Sequence, residues 1–237
     1  MAISDLKLPA GVTAHTFNAP AVLAEALAKT VAGQLNDAIT AQGVATLVVS
    51  GGRSPVAFFQ RLIEQPVDWS KVVVSLADER WVPVEHADSN AGLLKQHLLK
   101  GPAAKARFVG LYNVAPTLDA AAEQADRQLA ELPPIDVLIL GMGDDGHTAS
   151  LFPASPNLKQ ALDLDNPRRC WPMLAPTVPH QRLSMSRHLL STAKHTVLSV
   201  QGQAKLNTLT DALAGDDVAA LPIRAFLQPT LEIYWCP

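Results

Sequence analysis

Cysteine is scarce in this chain: among 237 residues only Cys170 and Cys236 carry a thiol. They stand far apart with no CxxC or Cys/His spacing, which argues against a disulfide framework and a cysteine-based zinc site. Both lie among apolar residues, the ordinary setting of a buried thiol. An excess of basic charge is also missing. The formal charge is −3, so no global positive field draws the chain to nucleic acid or to an anionic membrane, and no basic, aromatic-interleaved patch offers one locally. Any anionic ligand has to be met by a local cluster of basic groups. No apolar run reaches the roughly 18 residues of a membrane span, and the opening MAISDLKLPA lacks the charged start and apolar run of a signal peptide, so a cytoplasmic location is expected.

What the chain does contain is apolar substance, 48% of its residues, enough to bury a substantial core. Apolar runs of strand length alternate with longer helix-like segments, the pattern of βαβ units around a mainly parallel sheet, and the expected fold class is α/β. Residues 20–42 read as an Ala/Leu-rich helix with Asn18 as cap and Pro20 in the first turn. Val44–Val49, Val72–Leu76 and Ile135–Leu140 read as buried strands. Helices are expected from Pro55 to about Glu64, from Ser89-Asn90 to Leu99, from Thr117 to about Leu132 and from Gly202 to Leu213. Six prolines between 153 and 181 predict loops and short elements there. Arg182–Ser186, Thr196–Val200 and Leu231–Trp235 read as further strands. With no repeat or linker, residues 1–237 are expected to form a single domain.

Ligands of an open parallel sheet bind beyond the carboxyl ends of its strands, and three loops at such ends are rich in functional residue types. Ser50-Gly51-Gly52-Arg53-Ser54-Pro55 joins a strand to a helix through glycines that let backbone N–H groups point at an anion. It lacks the Lys-Ser/Thr of a nucleotide-binding P-loop. Its bland alternative is a glycine turn with a solvated Arg53. Asp78-Glu79-Arg80, followed by Asp88-Ser89-Asn90, can orient sugar hydroxyls or grip phosphate through the guanidinium fork; a surface salt-bridge cluster is the alternative. The third loop, GMGDDGHTASLFP at 141–153, contains a literal GxGxxG. Pro153 stops the helix that a dinucleotide fingerprint requires, and the glycines instead free the backbone around His147, flanked by Asp144 and Asp145. A histidine on such a loop beside carboxylates is placed for proton transfer. No HxH or HExxH spacing supports a metal centre, and no GxSxG elbow supports a serine hydrolase.

In this order the motifs resemble the 6-phosphogluconolactonases, relatives of the glucosamine-6-phosphate isomerase/deaminases. The resemblance spans nearly the whole chain and rests on SGGRSP at 50–55, SLADERWVP at 75–83 with SN at 89–90, GMGDDGHTASLFP at 141–153, Arg182 within RLSMS, and GQAK at 202–205. It implies a three-layer, mainly parallel Rossmann-like α/β fold of the sugar-phosphate isomerase/CoA transferase type and no cofactor. The activity implied is hydrolysis of 6-phospho-D-glucono-1,5-lactone to 6-phospho-D-gluconate in the oxidative pentose phosphate pathway. By position His147 becomes the general base with Asp145 beside it, and Gly51, Gly52, Arg53, Asp78, Arg80, Arg182 and Lys205 become substrate or phosphate contacts, with no metal ligand. The implied partner is a small phosphosugar lactone, neither nucleic acid nor membrane, and a monomer is compatible with the sequence. Thr148–Pro153 after the histidine is the lactonase form rather than the Asn-Glu-containing stretch of the deaminases. Retention of His147 with both acids argues for an enzyme over a sugar-phosphate sensor.

Overall fold

The computed structural model describes residues 3–176 and 180–237. Among these residues seven strands form one parallel sheet: β1 (Thr13–Thr16), β2 (Ala45–Val49), β3 (Val72–Leu76), β5 (Arg107–Val109), β6 (Val137–Leu140), β9 (His195–Gln201) and β10 (Leu231–Cys236). Their spatial order is β1-β10-β9-β6-β2-β3-β5, with every neighbouring pair parallel. Every residue of β2, β3 and β6 is buried. These runs, rich in Val, Leu and Ile with only Thr46 and Ser75 polar among them, suit strands covered on both faces.

The helices are α1 (Pro20–Gln42), α2 (Val56–Ile63), α3 (Asn90–His97), α4 (Leu118–Leu129), α5 (Leu158–Leu162), α6 (Arg187–Leu190) and α7 (Gln203–Leu213). Helix α1 lies across β2, β6 and β10 and packs on α2. It buries Leu23, Leu27, Val31 and Leu35, a stripe at four-residue spacing. It ends where Gly43 turns left-handed, φ 81°, and donates its N–H to the Ile39 carbonyl at 2.9 Å. The result is a three-layer α/β fold with a mainly parallel central sheet. No helix among the described residues is long and apolar enough to cross a membrane.

From β2 the chain moves outward to β3 and β5, then returns to the other side of β2 with β6, β9 and β10. The strand order therefore reverses between β2 and β6, opening a crevice at their carboxyl ends, where Ser50-Gly51-Gly52 and Gly141-Met142-Gly143 emerge. A second, antiparallel sheet, β4 (Asp78–Arg80), β8 (Gln181–Met185) and β7 (Cys170–Leu174), stands beside it in the order β4-β8-β7. Helix α4 packs on β7 and β8.

Several expectations need correction. Asn18 is not the cap of α1: Ala19 takes that position in extended backbone, with Pro20 opening the helix. Asp78–Arg80 is a strand, not a loop, because β8 supplies its ladder from a hundred residues away. Strand β7 lies inside the proline-rich segment; it occupies the edge of the small sheet, where the N–H that Pro172 lacks is least needed. Helix α4 ends at Leu129, short of Leu132, and α3 ends at His97.

Candidate active site

The crevice holds a cavity of about 320 Å³ lined by the ends of the parallel strands and by the small sheet. Ser50, Gly51 and Gly52 come from the end of β2, Asp78 and Arg80 from β4, Gly141, Gly143 and His147 from the loop after β6, Arg182 from β8 and Lys205 from α7. Seven of the nine expected site residues therefore share one cavity wall. Asp145 stands directly behind His147, whereas Arg53 is exposed and outside the lining, the solvated alternative foreseen for it.

The loop after β6 is a compact scaffold for His147. Gly143 N–H donates to the His147 carbonyl at 2.8 Å, Gly146 N–H donates to the Gly143 carbonyl at 3.1 Å, and Thr148 Oγ1 donates to the Gly141 carbonyl at 2.8 Å. Gly146 is left-handed, φ 73°, which favours glycine. Gly143 is demanded by proximity: a Cβ there would overlap the His147 ring and the Asp145 carboxylate. Asp145 Oδ1 lies 2.5 Å from His147 Nδ1 and accepts the His147 backbone N–H at 3.1 Å. Partial burial of Asp145 works to raise its pKa, but the hydrogen bond and charge of His147 outweigh it and hold the carboxyl below its usual range. An ionised Asp145 fixes the proton on Nδ1 and turns the Nε2 lone pair outward. The other side of the ring packs on Phe152, with centroids 4.4 Å apart. The side chain remains 29% exposed, enough for contact with a ligand or water.

The basic groups are placed by the small sheet. Arg80 and Arg182 are direct partners in the antiparallel β4–β8 ladder, an arrangement that costs energy between like charges unless anions relieve it. Arg182 is only 6% exposed. Burial lowers its pKa, while the charge of Asp78 pushes the other way. Its guanidinium lies 5.6 Å from the Phe152 ring centroid. Arg80 donates from Nη1 to the Asp88 carbonyl at 2.6 Å, and its buried Nε has no hydrogen-bond partner among the described residues. Lys205 enters from the first turn of α7 and meets Asp144 at 2.7 Å. Asp78 accepts the Ser150 hydroxyl at 2.6 Å.

Two further residues of the segment Asp78–Asn90 shape this wall. Glu79, fully buried, accepts the N–H groups of Arg80, Asn90 and Ala91, each at 2.7 Å, and the Ser89 hydroxyl at 3.2 Å. It caps the start of α3 and fastens it to β4. Burial raises its pKa despite these hydrogen bonds. Asn90, held by an Nδ2 bond to the Asp78 carbonyl at 2.9 Å, sits against Gly51, where a Cβ would collide with its amide. The sequence offered Glu79 as one of two acids able to orient sugar hydroxyls and Asn90 in the SN pair that follows; the structure instead engages Glu79 with backbone N–H groups and Ser89.

Residues 18–235 match the model of the glucosamine-6-phosphate isomerases/6-phosphogluconolactonase family. The chain belongs to this family. A 6-phosphogluconolactonase of Pseudomonas putida is 65% identical over 237 residues, covering 100% of this chain and 98% of that protein. Its counterpart in Pseudomonas aeruginosa is 61% identical with complete coverage of both. The crystal structure of a 6-phosphogluconolactonase from Shewanella baltica superposes with a TM-score of 0.93 at 39% identity, covering 98% of this chain and 100% of that one. The expected family and fold are thus both found, and the motifs that carried the resemblance are those that converge on the cavity.

Proposed function

We propose that this chain hydrolyses 6-phospho-D-glucono-1,5-lactone to 6-phospho-D-gluconate, the lactone-opening step of the oxidative pentose phosphate pathway. The observation that carries the reading is the His147–Asp145 pair at 2.5 Å sharing one cavity with Arg80, Arg182 and Lys205: a proton acceptor of fixed tautomer beside a cluster of cations. The family membership and the lactonase names of close relatives support it.

A lactone is an activated ester, so the chemistry is modest. His147 takes a proton from water as its oxygen attacks C1, and the carbonyl oxygen becomes an oxyanion. The imidazolium then returns the proton to the ring oxygen as the C1–O bond breaks, leaving the carboxylic acid, which ionises in water. Such general acid–base work is worth about 10²–10⁴-fold in rate. Asp145 orients the ring and stabilises its charged form. Arg80, Arg182 and Lys205, with the backbone of Gly51-Gly52, hold the phosphate and convert remote binding into positioning of C1. Asp78, fixed by Ser150, faces the sugar hydroxyls. Arg53 takes no part. The chemistry requires no metal or cofactor, the partner is a small phosphosugar, and residues 1–237 act as one domain in the cytoplasm.

The test is the loss of freshly generated 6-phosphogluconolactone, with and without protein, in EDTA and above the spontaneous rate. Rapid opening in EDTA is the expected result. Background-level loss, with ammonia released from glucosamine 6-phosphate instead, would move the chain to the isomerase/deaminase side of its family.

A further inference from the structure

Outside the cavity, three side chains form a cluster that the linear sequence does not reveal. His86 and Asp88 lie on the segment after β4, and His180 lies just before β8. One ligand atom from each comes within 4.8 Å of the others. His180 Nε2 is 2.8 Å from Asp88 Oδ2, His86 Nδ1 is 3.8 Å from the same oxygen, and the two imidazole rings meet edge to face with centroids 5.2 Å apart. None of the three lines the catalytic cavity.

We propose that His86, Asp88 and His180 bind a divalent transition-metal ion of the Zn2+ or Ni2+ class. Two imidazoles and a carboxylate make a donor set suited to these ions and poorly suited to Mg2+ or Ca2+, which prefer oxygen ligands throughout. The cluster is also held by its surroundings. His180 sits at φ 74°, a left-handed conformation that costs a non-glycine residue energy and turns up where surrounding structure enforces it. His86 Nδ1 accepts the Asp88 backbone N–H at 3.1 Å, so its lone pair already faces Asp88. The backbone there is braced by His86 N–H to the Pro83 carbonyl at 2.9 Å, Ser89 N–H to the His86 carbonyl at 3.0 Å, and Arg80 Nη1 to the Asp88 carbonyl at 2.6 Å. Such supporting bonds orient ligands and raise affinity.

On binding, the ion replaces the proton shared by His180 Nε2 and Asp88 and takes the His86 lone pair, displacing its contact with the Asp88 N–H. Any proton left on the ligands is released to solvent. The side chains are 43%, 51% and 25% exposed for His86, Asp88 and His180, so water completes the coordination and the ion exchanges freely. The consequence is mechanical: the ion ties the segment that follows Arg80 to the segment that precedes Arg182.

The test is titration of untagged, metal-free, full-length protein with Zn2+ by calorimetry, alongside His147→Ala to remove the catalytic imidazole as a competing ligand. The expected result is one Zn2+ per chain in both proteins, unaffected by excess Mg2+. Amide exchange across residues 84–90 should slow when the ion is present. His86→Ala and His180→Ala should each weaken binding at least about tenfold while retaining the wild-type melting curve without metal. No binding, binding lost in His147→Ala, or affinity unchanged in both histidine variants would each overturn the assignment.

Discussion

The two ends of the parallel sheet hold their buried polar groups in different settings. At the amino end, beside the start of β6, Asp136 is 1% exposed and every partner it needs is present: it accepts the Thr46 N–H at 2.8 Å, the Gln42 amide at 2.9 Å and the Lys194 ammonium at 2.7 Å. At the carboxyl end, Arg80 and Arg182 face each other across a ladder, and the hydroxyl of Ser50 and the Nε of Arg80 are buried without hydrogen-bond partners among the described residues. Ala149 in the His147 loop has a positive φ of 49°. A buried group left unsatisfied costs roughly 1–3 kcal/mol, and strain of this kind concentrates where a ligand is to be met. Such groups are not confined to one end, since Thr46 Oγ1 in β2 and Thr230 at φ 79° before β10 lie at the amino end; what sets the carboxyl end apart is that Ser50 and Arg80 line the cavity.

Substitutions at the two ends should separate activity from stability. The largest effect is expected from His147→Ala, with kcat reduced by about 10²–10⁴-fold and KM nearly unchanged in steady-state assays. Its denaturation midpoint should stay close to wild type, because the ring is partly exposed. Asp136→Ala should do the reverse, costing about 3 kcal/mol of stability in denaturant titration, since it strips a buried carboxylate from Lys194 and from the Thr46 N–H. The folded fraction should keep its kcat. Loss of kcat at unchanged stability would erase the distinction between the ends.

Gly143→Ala sharpens the contrast within the carboxyl end. Gly143 lines the cavity, and the added methyl would push the His147 ring off Asp145. A displacement of about 1 Å costs roughly 10²-fold, so kcat should fall to that extent with binding of 6-phosphogluconate preserved. The smallest effect belongs to Arg53→Ala. Arg53 lies outside the cavity, and kcat/KM should change by less than about twofold, within the usual range of neutral surface substitutions. A larger loss would return Arg53 to the phosphate contacts.

The sequence made the buried centre of the fold legible because β2, β3 and β6 are mostly apolar runs, broken only by Thr46 and Ser75, bounded by glycine or charge, and α1 carries a clean helical stripe. His147 was legible because the glycines around it have no role in a helix that Pro153 forbids. Features made by distant partners were not. Asp78–Arg80 is too polar to announce a strand, and only β8 makes it one. Glu79 is recognisable as an anchor only once α3 is placed over it. His180 lies some ninety residues from His86 and Asp88, and no spacing rule joins them. Arg53 adjoins the glycine loop in sequence, and sequence alone does not tell whether so long a side chain turns to the cavity or to solvent; it stands outside the lining.

The claim that the carboxyl end is built for a phosphorylated lactone is tested most directly by substrate discrimination. The ratio of kcat/KM for 6-phosphogluconolactone to that for unphosphorylated gluconolactone should be measured in wild type and in Arg182→Ala. A large ratio is expected in wild type and a reduction of about 10–100-fold in the variant, the size of one charge-assisted contact, carried mainly by KM for the phosphorylated substrate. A ratio near unity in wild type, or one that Arg182→Ala leaves intact, would contradict it.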